Sequence, residues 1–160
     1  ASEFAAFHSQ GAAPDPNLNE TFLASKLDYA RRGSGIYRVM LDYYMELIRL
    51  RKSLRAFQEL DKDRMEVFAF ERQRVIFMRR WAEDSDICIL FNIADKTITL
   101  TAPIPSGEWT CILASTDARW SANAETTSHL EQTTIEPGSP AELSLPPVSV
   151  SVFQKQAHTT

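Results

Sequence analysis

Few side chains in this sequence have the types and spacing that chemistry needs. Trp81, Trp109 and Trp120 offer flat aromatic faces, the kind of surface on which a sugar ring stacks through its C–H groups. Trp81 and Trp109 fall in strand-like runs and read as packed residues. Trp120 falls in a Ser/Thr/Ala/Asn-rich stretch, Ser115 to Ser128, expected to be a long mobile loop, and is the candidate sugar-stacking residue. The acids Asp61, Asp63, Glu71, Glu83, Asp84 and Asp86 sit in turns and joints and read as solvated, so no catalytic residue is assigned among them. His8, His129 and His158 are far apart and lack metal-ligand spacing, so no metal site is assigned. There is no Gly-rich phosphate loop, no Ser/His/Asp arrangement and no implied cofactor. Cys88 and Cys111 each lie in an apolar run and read as buried, reduced thiols, which points to a cytoplasmic protein.

The elements that would position these groups change character partway along the chain. Pro14 and Pro16 mark a loop, and Asn19 reads as the N-cap of a short helix from Glu20 to about Tyr29. Gly33-Ser34-Gly35 breaks the chain, with Ser34 as the next cap. Gly35 to Phe57 then reads as one long helix. Its apolar residues Ile36, Met40, Tyr43, Leu47, Leu50, Leu54 and Phe57 alternate four and three apart, and Val39, Tyr44 and Ile48 widen the stripe. Arg49, Arg51, Lys52 and Arg55 complement the negative end of the helix dipole. A face this broad calls for a large partner surface, and the helical part is too small to bury it within itself. It reads as one end of something larger. Two outcomes are expected for an isolated chain: docking of this helix on its own β-region, or self-association through Ile36 to Phe57.

After the polar joint Glu59 to Asp63 the apolar period changes to two. Met65 to Phe70 and Val75 to Trp81 flank Glu71-Arg72-Gln73-Arg74 and read as a hairpin. Ile87 to Ile93 is nearly all apolar, as a central strand covered on both faces would be. Thr97 to Thr101, Trp109 to Leu113, His129 to Ile135, Ala141 to Leu145 and Val148 to Phe153 bring the count to roughly eight strands, a number expected of an antiparallel sandwich.

Composition limits the partners. The 160 residues carry a formal net charge of −4, with 44% hydrophobic and 24% charged residues, an ordinary globular balance. The basic residues cluster only at one helix end, which argues against nucleic acid. No apolar run approaches the roughly 20 residues that span a bilayer, so no membrane partner is expected.

Two stretches support a family resemblance. Glu3 to Phe7 (Glu-Phe-Ala-Ala-Phe), Pro14-Asp15-Pro16 and Thr21 to Asp28 (Thr-Phe-x-x-Ser-Lys-Leu-Asp) closely resemble the malto-oligosyltrehalose trehalohydrolases of the α-amylase superfamily of glycoside hydrolases. Leu47-Ile48-Arg49-Leu50-Arg51, Leu90 to Asp95 and the closing Leu145 to Phe153 continue the likeness, the last resembling the final strand of an amylase-type C-terminal β-domain. Two departures stand out: His8-Ser9 where relatives carry an aromatic, and Tyr29 where Trp is common. The resemblance implies an α+β fragment: residues 1–58 as the last loop and helices of a (β/α)₈ barrel, and residues 59–160 as the C-terminal sandwich. It implies that Phe4, Phe7 and His8 are candidate substrate-lining residues near the mouth of the parent's active site. It implies partners as well, namely the catalytic barrel of the same parent chain and a malto-oligosaccharide or trehalose-type sugar. The parent would hydrolyse the α-1,4-glucosidic bond next to the terminal trehalose unit of maltooligosyl trehalose, with catalytic carboxylates that this chain lacks. An α-glucan-binding β-domain, or the C-terminal domain of a related branching or debranching enzyme, is the alternative.

Overall fold

The computed structural model describes residues 15–121, 132–135 and 141–156, with backbone alone at 132–135 and 141. Phe4, Phe7 and His8 therefore lie outside the described residues. Three helices come first: α1 (Asn19–Ser25), α2 (Gly35–Ser53) and α3 (Arg55–Gln58). Eight strands follow: β1 (Met65–Phe70), β2 (Val75–Ala82), β3 (Ser85–Asn92), β4 (Ile98–Ala102), β5 (Gly107–Ala114), β6 (Gln132–Ile135), β7 (Ala141–Leu145) and β8 (Ser149–Lys155).

The helix boundaries differ from those read in the sequence, each for a local reason. Asn19 is the first helical residue rather than the cap. Leu18 holds the cap position without a side-chain bond. The chain has already turned at Asp15, whose carboxylate accepts from the Asn17 amide (2.9 Å) and whose carbonyl accepts from Leu18. The helix ends at Ser25 instead of running to Tyr29. The Ser25 hydroxyl donates back to the Phe22 carbonyl (2.7 Å), and the Asp28 carboxylate accepts from the Ala30 amide (3.1 Å), starting a separate 3-10 turn at Tyr29–Gly33. Short polar side chains of this kind compete with the helix for backbone partners. Ser34 does hold the cap position of α2, but through its carbonyl, which accepts from Arg38.

The expected continuous helix from Gly35 to Phe57 is interrupted. Leu54 is extended, with φ −101° and ψ 118°, and α3 starts in a new direction. The Gln58 side-chain amide donates to the Lys52 carbonyl and ties the two pieces together across the break. The redirection puts Ala56 in the core and brings Phe57 against it.

All strand pairings in the described residues are antiparallel. Six strands form one sheet in the order β1-β2-β3-β8-β5-β6, and β4 pairs with β7 in a second sheet. The β1–β2 hairpin expected from the sequence is present, with Met65 opposite Arg80 and Phe70 opposite Val75. Its turn places Arg74 at φ 58°, a conformation that most side chains disfavour.

Alternation along β3 builds two cores. Cys88 and Leu90 face one side with Phe77, Trp109 and Phe153, and β4 and β7 close this side with Ile98, Leu100, Leu143 and Leu145. Ile87 and Ile89 face the other side with Leu113 and Val152, where Leu50 of α2 and Ala56 of α3 cover them. The described molecule thus has three layers: helices, the six-stranded sheet, and the two-stranded sheet. A bulge in β5 between Cys111 and Leu113 breaks the period of two. Cys111 faces the first core and Leu113 the second, although they are two residues apart.

Both thiols are buried and neither is in a disulfide. Cys88 and Cys111 both pair with Phe153, from the two strands flanking β8. Two strand spacings separate their Cα atoms by about 9–10 Å, beyond the roughly 7 Å that a disulfide can span. Burial pushes the Cys88 thiol far up from its ordinary value, so it behaves as a small apolar group.

Candidate functional site

Helix α2 lies against one face of the six-stranded sheet. Tyr43, Leu47 and Leu50 recur at helical spacing and pack on the second core of the sheet. Docking of the helix on its own sandwich is therefore the arrangement present. Trp120 fixes this docking. The chain leaving β5 makes a 3-10 turn at Ala118–Trp120, which sets the Trp120 ring edge-on to Tyr43, with centroids 5.0 Å apart. The Trp120 indole N–H donates to the Ala114 carbonyl (3.0 Å), and the Arg119 guanidinium lies over its ring at 4.6 Å. Asp117, with a buried carboxylate, accepts from the Arg119 backbone amide (2.9 Å) and from its Nε (3.0 Å). The described part of the expected Ser115–Ser128 loop is thus a built turn. Trp120 is half-buried in it, and the rest of that stretch lies outside the described residues.

Across α2, Glu46 accepts two hydrogen bonds from Arg49, both 2.7 Å. These bonds, with the charges of Arg49 and Arg119, hold the Glu46 carboxyl below its ordinary value. Burial pushes the Tyr43 phenol up. Arg38 and Asp42 form a further pair at 2.8 Å. These carboxylates of α2 are thus engaged by neighbouring arginines on the same helix.

The opposite face of α2 is also apolar, and it is uncovered. Leu41, Met45 and Ile48 lie about half a turn from the docked residues and Tyr44 about a quarter turn, at roughly 100° per residue. They are 38%, 57%, 51% and 56% exposed, in that order. Ile36, Tyr37 and Met40 are exposed at the helix start, and Phe22, Leu23, Leu27 and Tyr29 are exposed on the segment before it. The sequence shows one wide stripe. The structure divides it into a docked part and a bare part.

Between α2 and the turn after β5 lies a hollow of about 260 Å³, lined by Val39, Met40, Tyr43, Tyr44, Leu47, Ser115 and Trp120. Elsewhere, Trp109 is fully buried and donates to the Pro105 carbonyl (2.8 Å). Trp81 is half-buried, with Arg79 over its ring at 4.8 Å. Among the described residues no group of three or more His, Cys, Asp or Glu lies close enough to hold a metal ion. None of their helices is long and apolar enough to cross a membrane.

One family match and three likenesses to known proteins bear on this fold. Residues 57–156 match the family described as α-amylase, C-terminal all-β domain. The malto-oligosyltrehalose trehalohydrolase of Rhizobium sp. (strain M-11) is 33% identical over 104 residues, which is 65% of this chain. The chain spans 16% of that relative's length. A crystal structure of a putative α-amylase from Salmonella typhimurium matches 97% of this chain and 22% of its own, with a TM-score of 0.60 at 22% identity. An Anoxybacillus α-amylase matches 74% of this chain and 23% of its own, with a TM-score of 0.50 at 16% identity. At such identities these two structures speak to the fold alone, and the first takes in the helices as well as the strands. The family match covers well over half of the sequence and all eight strands end to end, so the chain belongs to the family of α-amylase C-terminal all-β domains.

Proposed function

We propose that this chain is the non-catalytic C-terminal portion of a trehalohydrolase-like enzyme. Its parent hydrolyses the α-1,4-glucosidic bond beside the terminal trehalose unit of maltooligosyl trehalose. The 33% identity to a trehalohydrolase supports the choice of parent. Retaining cleavage of such a bond needs two carboxyl groups roughly 5 Å apart, and in this reading the catalytic barrel supplies them. Residues 1–58 end that barrel, and residues 59–160 form the supporting sandwich. Phe4, Phe7 and His8 line the mouth of the parent's sugar site. The separated, buried thiols suit a cytoplasmic setting.

The observation that carries this reading is the outward stripe of α2. Fully burying a large apolar side chain contributes roughly 1.5–3 kcal/mol, so Leu41, Tyr44, Met45 and Ile48, each about half exposed, together represent roughly 3–6 kcal/mol of uncollected stabilisation. A barrel that owns α2 as its last helix collects it. The role of this chain is then to seat that helix between barrel and sandwich.

The test is to fuse the chain, in place of the matching segment, to the remainder of the Rhizobium trehalohydrolase. Trehalose release from maltooligosyl trehalose is the readout. The fusion should be active, the isolated chain inactive, and a fusion carrying Leu41→Lys, Met45→Lys and Ile48→Lys inactive or insoluble. Trehalose release by the isolated chain at an enzymatic rate, or full activity of the triple-lysine fusion, would refute the reading.

A further inference from the structure

The hollow beside Trp120 is more than a gap between two elements. Val39, Leu47 and Tyr43 form its floor on α2, and Trp120 and Ser115 form its far wall. Met40 and Tyr44 line it too, and both are exposed. Tyr44 belongs at once to the hollow and to the outward stripe, so the hollow opens onto the same uncovered surface. Its volume of about 260 Å³ exceeds the ~150 Å³ in which an apolar protein cavity holds a benzene molecule. One ring-sized group fits.

The chemistry of the lining selects an apolar guest. The Trp120 N–H is committed to the Ala114 carbonyl. The Ser115 hydroxyl accepts from the Val150 amide (2.9 Å), and the Ser115 amide donates to the Val150 carbonyl. Arg119 occupies a face of the Trp120 ring. What remains in the lining is mainly hydrocarbon, sulfur and aromatic carbon, with two tyrosine hydroxyls and the Ser115 O–H. A pyranose ring needs a free aromatic face and several partners for its hydroxyls, and this lining offers little of either.

We propose that the hollow is a socket for one bulky apolar side chain, aromatic or branched aliphatic, projecting from the catalytic portion that covers α2. This rests on the reading that such a portion exists, and it adds where the contact is anchored. A buried side chain in a pocket ringed by flatter contacts is the usual form of an interface hot spot. Trp120 then has one job on two sides: its edge-to-face contact holds Tyr43, and its exposed flank receives the guest.

The experiment uses the isolated 160-residue chain. Indole and 4-methylphenol stand in for the guest side chain, and maltotriose stands in for a sugar. Binding is followed by NMR at the Trp120 indole N–H and the Tyr44 ring. Both aromatic probes should shift these signals saturably at millimolar concentration, maltotriose should not, and Val39→Trp, which fills the floor, should abolish the shifts. Where that variant loses the dispersed spectrum of the folded chain, Met40→Trp at the rim serves instead. Absence of saturable shifts with the aromatic probes, or shifts that survive both variants, would overturn the proposal. A saturable maltotriose shift at Trp120 would also overturn it and make the hollow a sugar site. The fusion described above reports on the outward stripe rather than on the hollow. An active fusion together with an unresponsive hollow would sink the socket alone.

Discussion

The two sides of the six-stranded sheet are finished to different degrees. On one side β4 and β7 close over Phe77, Leu90, Trp109 and Phe153, and all four are buried. On the other side α2 and α3 close over Ile87, Ile89, Leu113 and Val152, but the cover itself has a bare apolar back. The difference separates two kinds of hydrophobic residue that look alike in a sequence. Those in the first core stabilise this chain, while those on the back of α2, in the function proposed above, stabilise something built on top of it.

Chemical unfolding of the isolated chain can break that comparison. Trp109→Ala should cost about 3–5 kcal/mol, because it empties a fully buried site. Met45→Ala on the bare back, 57% exposed, should cost less than about 0.5 kcal/mol. Equal losses would erase the distinction. A smaller effect belongs to Asn92, 2% exposed. Its side-chain nitrogen donates to the carbonyls of Lys96, Leu145 and Pro146, and its oxygen accepts from the Ala94 amide. Asn92→Ala should cost about 1–3 kcal/mol by leaving these buried groups without partners.

Smaller again is Val148, at φ 43° and largely exposed. A β-branched residue is strained there, and Val148→Asn should raise the unfolding free energy by about 1 kcal/mol. No gain, or a loss, would show that the backbone relaxes without strain. The smallest effect sharpens the helix side. The Glu46 carboxyl is held below its ordinary value of 4.5 by Arg49. Its contribution is therefore present above that value and fades as the pH falls through the lowered one. Comparing Glu46→Gln with wild type should give a difference of a few tenths of a kcal/mol at neutral pH, and none in strong acid.

Much of this fold could be read from the sequence because period-two patterning is a strong signal. The near-continuous apolar run of β3 marked it as buried on both faces, and the strand limits of β1 and β7 were legible to the residue. What escaped had a short-range or non-local cause. The break at Leu54 depends on a Gln58–Lys52 contact that leaves no periodic trace. The β5 bulge sends Leu113 to the helix side, and strict alternation hides that. The sequence marked α2 as too apolar for its setting but left Leu41 and Met45 out of the stripe, and residue spacing alone does not say which part of the arc the sheet covers. Trp120 looked like a loop aromatic because its partner, Tyr43, is distant in sequence. Phe4, Phe7 and His8 fall outside the described residues.

The central claim is that the outward stripe of α2 is a covered surface in the parent enzyme. Hydroxyl-radical footprinting reads it directly at Met45, with Met65 of β1 as an internal reference. The chain is labelled once alone and once fused to the remainder of the Rhizobium relative. Met45 should oxidise readily in the isolated chain and become strongly protected in the fusion. Equal oxidation of Met45 in both, with the fusion active, would contradict the account.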